Sequence, residues 1–317
     1  MKDINLVIGG TGFLGYYMLQ ELAARGEKIR SFGIDRPVPG SEVPTAEYVV
    51  GDVFSEEDLN RAMADVKTVY CFISTSMPNS GEKNLRREID LTLRAHDAIL
   101  TAMVHNGVDT IVFPSSGGAI YGDSGEEPVR EDAPLEPSTA YGVGKQMCEE
   151  LLGFYNRRFG VNTLIFRIGN VYGSRLYRRV EQGVIDVFTQ AALSGETIKV
   201  WGDAVHSIRD YIYLDDAARA IVECTRKGLH GFHVFNVGSG KGTSVAQIIS
   251  ILEAQLGRRL AIEYQPLKSS GVSRIVLDTE KLSRVIGKIV TVGLEEGVAR
   301  TIRAKKALLE KAGSRER

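Results

Sequence analysis

The sequence predicts an α/β protein built on a doubly wound parallel sheet, with a smaller interleaved C-terminal unit. Three observations carry this prediction. Short β-rich runs alternate with helical patterns as far as Gly173, the one-dimensional signature of a parallel sheet with helices on both faces. Glycines at 9, 12 and 15 stand between an apolar run and a helical one, giving strand, tight turn and helix in succession. Beyond Gly173 the strict alternation stops, and the remaining chain reads as a separate, smaller layer.

The first strand is Ile4–Ile8. The turn after it, Gly9-Gly10-Thr11-Gly12-Phe13-Leu14-Gly15, is suited to hold a pyrophosphate: glycine lets the backbone approach a ligand, and the following helix offers unpaired N–H donors at its positive end. A Rossmann-type dinucleotide site is therefore expected here, with Gly9, Gly12, Phe13, Leu14 and Gly15 as contacts. Tyr16-Tyr17-Met18-Leu19-Gln20-Glu21-Leu22 continues the helix, and Lys28–Ile34, Tyr48–Val50, Thr68–Phe72, Thr110–Pro114 and Asn162–Arg167 supply further strands. The long helix Leu85–Asn106 has Asn84 as a suitable N-cap, places Leu91, Ala95, Ile99, Ala102 and Met103 on one side, and stops at Asn106-Gly107. Helix Gly183–Ser194, strand Ile198–Trp201 and the segments after Gly238 form the smaller unit, placed like a lid that would carry substrate specificity. The expected division is a dinucleotide-binding domain over 1–172 with 211–237 and a substrate-binding domain over 173–210 with 238–317. The charged tail after Ala304 is expected to fray at its end.

Composition narrows the classes of partner. With 39 basic and 40 acidic residues among 317, the chain has no field for nucleic acid or for an anionic membrane. Cys71, Cys148 and Cys224 lack metal-ligand spacing and leave an odd thiol, so buried thiols in a reducing compartment are expected, with no metal. The first strand begins at residue 4, leaving no room for a signal peptide, and no apolar run approaches the roughly 20 residues of a membrane span. The expectation is a cytoplasmic protein.

Which dinucleotide is bound depends on the ends of the next strands. Asp35 closes the second strand, where a carboxylate would meet free ribose hydroxyls and select NAD. Arg36 follows it and offers the alternative, a partner for the 2′-phosphate of NADP; a plain turn over Asp35-Arg36-Pro37 is the blandest reading. Asp52, in Gly51-Asp52-Val53, is placed either to meet the adenine or to cap the next helix. Val53, Phe72 and Ser74, at or just beyond strand ends, complete the expected cofactor contacts.

The chemistry lies in Ser138-Thr139-Ala140-Tyr141-Gly142-Val143-Gly144-Lys145. Residues four apart share a helix face, so Tyr141 and Lys145 lie side by side. A free phenol titrates near pH 10, and bringing it to about 7 takes roughly 4 kcal/mol of preferential phenolate stabilisation. A lysine ammonium and a cationic nicotinamide can supply that together. By itself such a pair is usual on any solvated helix; behind a dinucleotide turn it reads as a base and its activator.

Five motifs together resemble the extended short-chain dehydrogenase/reductases. They are Gly9–Gly15, Ser115-Ser116-Gly117-Gly118-Ala119-Ile120-Tyr121-Gly122, Tyr141-Gly142-Val143-Gly144-Lys145, Arg167-Ile168-Gly169-Asn170-Val171-Tyr172-Gly173 and Arg209-Asp210-Tyr211-Ile212-Tyr213-Leu214-Asp215-Asp216. Within that family the chain is most similar to NAD-dependent nucleotide-sugar epimerases and dehydratases, especially the UDP-glucose 4-epimerase type. The resemblance implies that Tyr141 takes a proton from a sugar hydroxyl as hydride moves to the nicotinamide, with Lys145 binding the nicotinamide ribose. It implies that Asn170 and Arg209 hold the diphosphate of a nucleotide sugar, although Arg209 has an ion pair with Asp210 or Asp215 as its plainer alternative. Trp201, in Ile198-Lys199-Val200-Trp201, resembles the lining of the nucleotide base, Gln182 a polar position near it, and Arg274 a second phosphate clamp.

The chain also departs from that pattern. Most relatives carry a serine or threonine where this chain has Gly117, so Ser116 is the nearest hydroxyl for the catalytic role. Thr92, or Asp90 in another register, stands where many 4-epimerases have an asparagine. Gly118 and Ala119 replace the acidic pair of the dehydratases, leaving water elimination without its acid and base. Epimerisation needs only the tyrosine, the cofactor and a keto-sugar that turns over. An NADP(H)-dependent keto-sugar reductase is the alternative enzyme, and a non-catalytic NAD(P)-binding sensor the alternative of another class. The resemblance further implies a homodimer paired through helix Leu85–Asn106 and the helix bearing Tyr141.

Overall fold

The structure, a computed structural model, describes residues 2–73, 85–123, 128–174, 183–266 and 273–315. Seven strands make one fully parallel sheet: β1 (Ile4–Ile8), β2 (Lys28–Gly33), β3 (Ala46–Val50), β4 (Val66–Cys71), β5 (Thr110–Ser116), β6 (Asn162–Ile168) and, in chain order after three strands that lie elsewhere, β10 (Phe232–Val237). Their order across the sheet is β10-β6-β5-β4-β1-β2-β3, so the winding reverses between β1 and β4, where a crevice opens beyond the carboxyl ends. Each expected strand is present, within two residues of its expected ends. The runs are rich in Val, Ile, Leu and Phe because a central parallel strand is buried on both faces.

Alternation along the strands sends successive side chains to opposite layers. Val7, Val112, Leu164 and Phe166 face α1 (Phe13–Ala24) and α6 (Leu214–Thr225), which contribute Tyr17, Met18, Leu22 and Ile221. Leu6, Ile8, Val69, Ile111, Phe113 and Ile165 face α2 (Glu56–Met63), α3 (Leu85–His105) and α4 (Ala140–Phe159). On α3 the residues Ala95, Ile99, Ala102 and Met103 are buried as expected, Leu91 is half-buried, and the helix ends where Gly107 turns with φ +61°. Asn84, its expected cap, lies outside the described residues. Among the described residues no helix is long and apolar enough to cross a membrane, and all three cysteines are buried and unpaired.

The rest of the chain is smaller and mixed. β7 (Asn170–Tyr172), β9 (Ile208–Tyr213), β11 (Gly242–Ser244) and β13 (Arg274–Ile275) form one sheet around β9, while β8 (Ile198–Trp201) pairs with β12 (Ile262–Gln265). Helices α5 (Val184–Ser194), α7 (Val245–Leu256) and α9 (Leu294–Arg315) share an apolar cluster of Ile185, Phe188, Ile248, Leu252, Val298 and Ile302; α8 (Glu280–Ile286) packs instead beside α6 and β10. Buried Asp186 fastens this layer, accepting from the Gly173 and Ser174 N–H groups at 2.9 and 3.1 Å and facing the Lys305 ammonium at 3.4 Å. β9 runs directly into α6, so the two layers share one continuous segment.

One buried titratable group in the α3 layer makes stability depend on pH. His96 is 2% exposed, its Nδ1 is 2.7 Å from the Thr92 carbonyl and its ring stands edge-on to Phe113. A carbonyl only accepts, so Nδ1 carries the proton of the neutral ring. Burial pulls the imidazole from 6.5 down to about 4; the Thr92 carbonyl opposes this and the Lys145 ammonium adds to it. The unfolded chain takes up this proton near pH 6.5 and the folded chain only near 4, so the contribution present above 6.5 is lost as pH falls through that window. A His96→Asn variant, which keeps a donor but does not titrate, is expected to lose less stability than wild type between about pH 7 and 4.5, by roughly 2–3 kcal/mol. Urea unfolding at the two pH values measures the difference, and equal losses in both proteins would refute it.

Candidate active site

The carboxyl edge of the large sheet gathers most of the expected site residues. After β1 the chain turns at Gly9 (φ +81°), whose N–H donates to the Phe32 carbonyl at 2.8 Å and whose carbonyl accepts the Gly12 N–H at 2.9 Å. A Cβ on Gly15 would lie 2.2 Å from the Gly9 carbonyl oxygen, so α1 can close on its own turn only with glycine there. Gly12 is the N-cap of α1 and supplies no side-chain acceptor, and no acidic residue follows in the first turn. Phe13 and Leu14 open the helix, half-buried. An uncapped, acid-free helix start at the end of a central strand is a seat for a diphosphate, and these residues fit a dinucleotide cofactor.

Around it stand the other expected cofactor residues. Asp35 and Arg36 are both exposed just past β2. Asp52, also exposed, is not the cap of α2: its Oδ1 accepts the Phe54 N–H at 3.0 Å, while Ser55 caps the helix by accepting from the Asp58 N–H. A carboxylate three residues before a serine closes its own turn, and the serine, nearer the helix, takes the cap. Val53 is buried beneath this turn, and Phe72 follows β4 with its N–H on the Ile8 carbonyl at 2.8 Å. Ser74 and Gln182 lie outside the described residues.

The tyrosine and lysine sit at the start of α4. Thr139 caps this helix, its Oγ1 accepting the Gly142 N–H at 3.1 Å, which puts Tyr141 in the first turn and Lys145 one turn later. A Cβ at Gly142 would lie 2.4 Å from the Ala119 carbonyl oxygen, so the glycine lets this turn press against the loop after β5. Lys145 is only 8% exposed, and its Nζ donates to the Pro114 carbonyl at 2.7 Å. The ammonium also lies 4.7 Å from the centre of the Phe113 ring and 5.7 Å from that of Tyr141. A desolvated cation is thus held one turn from a half-buried phenol.

Behind the loop after β5, Gly117, Gly118, Gly169, Asn170, Asp210, Ile275 and Leu277 come together around a gap too small to admit water. Ser116, half-buried, ends β5, and its carbonyl accepts from Ala119 and Ile120. Asn170 opens β7, hydrogen-bonds Tyr211 through its side chain and holds its Oδ1 3.2 Å from where a Cβ on Gly118 would be. Arg209 donates through Nη1 to the carbonyls of Ile208 and Ser273 at 2.9 and 3.0 Å, and burial pulls its guanidinium below the usual arginine range. Its neighbour Asp210 has another use: the carboxylate accepts from the Ser239 N–H and hydroxyl at 2.6 and 2.7 Å, from Gly240 at 3.0 Å and from Leu277 at 3.3 Å. Arg274 is exposed on β13, where Ile275 stands opposite Arg209, so the two arginines occupy adjoining strands. Trp201 is exposed at the end of β8, in the separate two-stranded sheet.

Sequence reasoning misses several residues that shape the site. Arg167 and Glu149 form a buried ion pair at 2.7 Å between β6 and α4, and Tyr121 donates to Asn236 at 2.6 Å while accepting from Arg167 at 3.1 Å. Burial works against the Arg167 charge, but the Glu149 carboxylate outweighs it and raises the guanidinium above its usual range. An arginine at the end of an otherwise apolar strand is the available signal, since such a charge, once buried, demands a partner.

Comparison with known proteins agrees with this geometry. Residues 5–238 match the model of the NAD dependent epimerase/dehydratase family. A Methanocaldococcus jannaschii protein provisionally named a UDP-glucose 4-epimerase is 31% identical over 303 residues, covering 94% of this chain and 96% of that one. A dTDP-4-dehydro-6-deoxyglucose reductase of Escherichia coli is 29% identical over 312 residues, with 96% and 98% covered. The crystal structure of a Thermotoga maritima UDP-glucose 4-epimerase with UDP-glucose superposes with a TM-score of 0.89 at 27% identity, covering 96% of this chain and 99% of that one. With a parallel sheet that opens a crevice at its switch point, an uncapped first helix and a tyrosine–lysine pair at one edge, the chain belongs to the NAD-dependent epimerase/dehydratase family.

Proposed function

We propose that this protein is an NAD-dependent epimerase of a nucleotide sugar, acting on a UDP-hexose at C4 through a transient 4-keto sugar. The observation that carries the reading is the buried Lys145 ammonium fixed to the Pro114 carbonyl one helical turn from Tyr141. The relative provisionally named a UDP-glucose 4-epimerase and the solved UDP-glucose 4-epimerase support the same substrate class. The division of labour follows the expected segments: 1–172 with 211–237 hold the dinucleotide, and 173–210 with 238–317 the sugar nucleotide.

When bound, NAD supplies a hydride acceptor that becomes the donor later in the same cycle. Tyr141 takes the proton of the sugar hydroxyl and gives one back after the keto-sugar has turned over, with Ser116 as the nearest further hydroxyl. Lys145 favours the phenolate electrostatically, which a buried cation does more strongly than a solvated one. Asn170, Arg209 and Arg274 keep the diphosphate in place while the sugar rotates, with Gln182 and Trp201 on the side of the nucleotide base. The uncapped start of α1 holds the cofactor's pyrophosphate, and Asp35 its ribose.

A second reading has its own support: the Escherichia coli relative is a reductase, and exposed Arg36 beside Asp35 suits a 2′-phosphate. The two reactions differ in cofactor balance. The epimerase regenerates NAD within each cycle, whereas the reductase consumes one NADPH per product. The protein as purified is expected to carry NAD and to interconvert UDP-glucose and UDP-galactose without added cofactor; turnover that requires stoichiometric NADPH would replace the first reading by the second. Tyr141→Phe is expected to lower kcat by about 10²–10⁴-fold while bound NAD is retained, and undiminished turnover would remove Tyr141 from its role.

Pairing of two copies through α3 and α4 belongs to the same proposal. Met147 and Phe154, seven residues apart on α4, are exposed together with Phe159 and, on α3, Val104; the two phenylalanines are 49% and 48% exposed. A second copy related by a twofold axis would cover them in a four-helix bundle. Light scattering is expected to give a dimer for wild type and a monomer for Phe154→Asp/Phe159→Asp, and a monomeric wild type would refute the pairing.

A further inference from the structure

Position 117 and position 277 compete for one volume. A Cβ on Gly117 would lie 2.6 and 2.9 Å from the two Cδ atoms of Leu277, closer than real Cβ contacts come, and 3.2 Å from the Arg167 carbonyl oxygen. Leu277 has little room to yield. It is 1% exposed and packs with Ile120, Tyr121, Val129 and Ile275. Its N–H donates to Asp210, and the backbone on either side is pinned to Val129, which donates to the Val276 carbonyl and accepts from Asp278, both at 2.8 Å. Asp210, 2% exposed and already bound to Ser239 and Gly240, anchors the segment from below.

The turn under Leu277 leads straight to the chemistry. The Ser116 carbonyl accepts from Ala119 and Ile120, and the Ala119 carbonyl abuts Gly142, the residue after Tyr141. On its other side the turn meets the Asn170 amide, held at Gly118. A rigid side chain pressed into this turn fixes Ser116 and the first turn of α4 together. Without it the turn would lose its packing on one side, with nothing at 117 to fill the gap.

We infer that Leu277 is a positioning residue: it occupies the side-chain volume of position 117, holds the 116–119 turn against the start of α4, and forms with Gly117 one exchangeable unit. The inference rests on the epimerase reading for its activity measurement. Gly117→Ala alone is expected to lower the unfolding temperature by several degrees and kcat by at least about tenfold. Leu277→Ala alone should do likewise, with KM for the sugar nucleotide changed less than about threefold and NAD still bound. Combined, the two substitutions should cost clearly less than the sum of the single losses, with part of both the unfolding temperature and kcat recovered, because the methyl at 117 no longer clashes and refills part of the space that Leu277 leaves.

Additive losses in the double variant, or a Gly117→Ala protein identical to wild type, would overturn the inference. Recovery of the unfolding temperature without recovery of kcat would also overturn it, since it would leave the pair a purely structural role. A wild type inert toward every nucleotide sugar would instead defeat the epimerase reading, and the inference with it.

Discussion

The site is built around one buried charge pair, Arg167 with Glu149, and the polar groups that complete it. Removing two such charges from water costs several kcal/mol each, so the pair persists only where its remaining donors are also satisfied. Here they are. Besides Glu149 the guanidinium reaches the Tyr121 hydroxyl and the Glu131 carbonyl. Tyr121 goes on to Asn236, which donates its side-chain amide to the Val129 carbonyl and its backbone N–H to the Glu131 carboxylate. One network thus joins α4, β6, the loop after β5 and β10, and through Val129 it reaches the stretch of chain that carries Leu277. A satisfied buried network is stiff, and through Glu149 this one ties α4 to β6.

The two helices that frame the crevice begin differently, and the difference suits their tasks. α1 starts at a glycine with no side-chain acceptor, leaving its first N–H groups for a ligand; α4 starts at Thr139, which takes one of those N–H groups itself. The first helix start is open to a diphosphate, while the second is closed and serves to aim side chains. In a parallel sheet both starts fall at the same edge, because every strand delivers its carboxyl end there.

Much of this is legible in the residues. The strands of the large sheet, the glycine turn and the tyrosine–lysine spacing depend on local chemistry, and local chemistry is what a sequence displays. The mixed sheet around β9 is harder: β7, β11 and β13 are two or three residues long, too short for a period to appear, and exist because β9 offers them an edge. Asp210 reads locally as a possible partner of Arg209, yet it binds four donors from segments about 30 and 67 residues away. Gly117 looks like a lost hydroxyl, and only the fold brings Leu277 from 160 positions downstream to explain its size. Contacts made at long range, between segments unremarkable on their own, leave no local pattern to read.

Pro114 has a consequence of its own. Within the described residues the ladder between β4 and β5 ends at the pairing of Tyr70 with Val112, while β5 stays paired with β6 through Ser116. The proline therefore marks where the seam unzips, a place where a missing N–H deprives no neighbouring strand of a bond. Its carbonyl is released from sheet duty at the same point and becomes the berth for Lys145. A backbone dipole and the face of Phe113 thereby moor the Lys145 amine 5.7 Å from the centre of the Tyr141 ring.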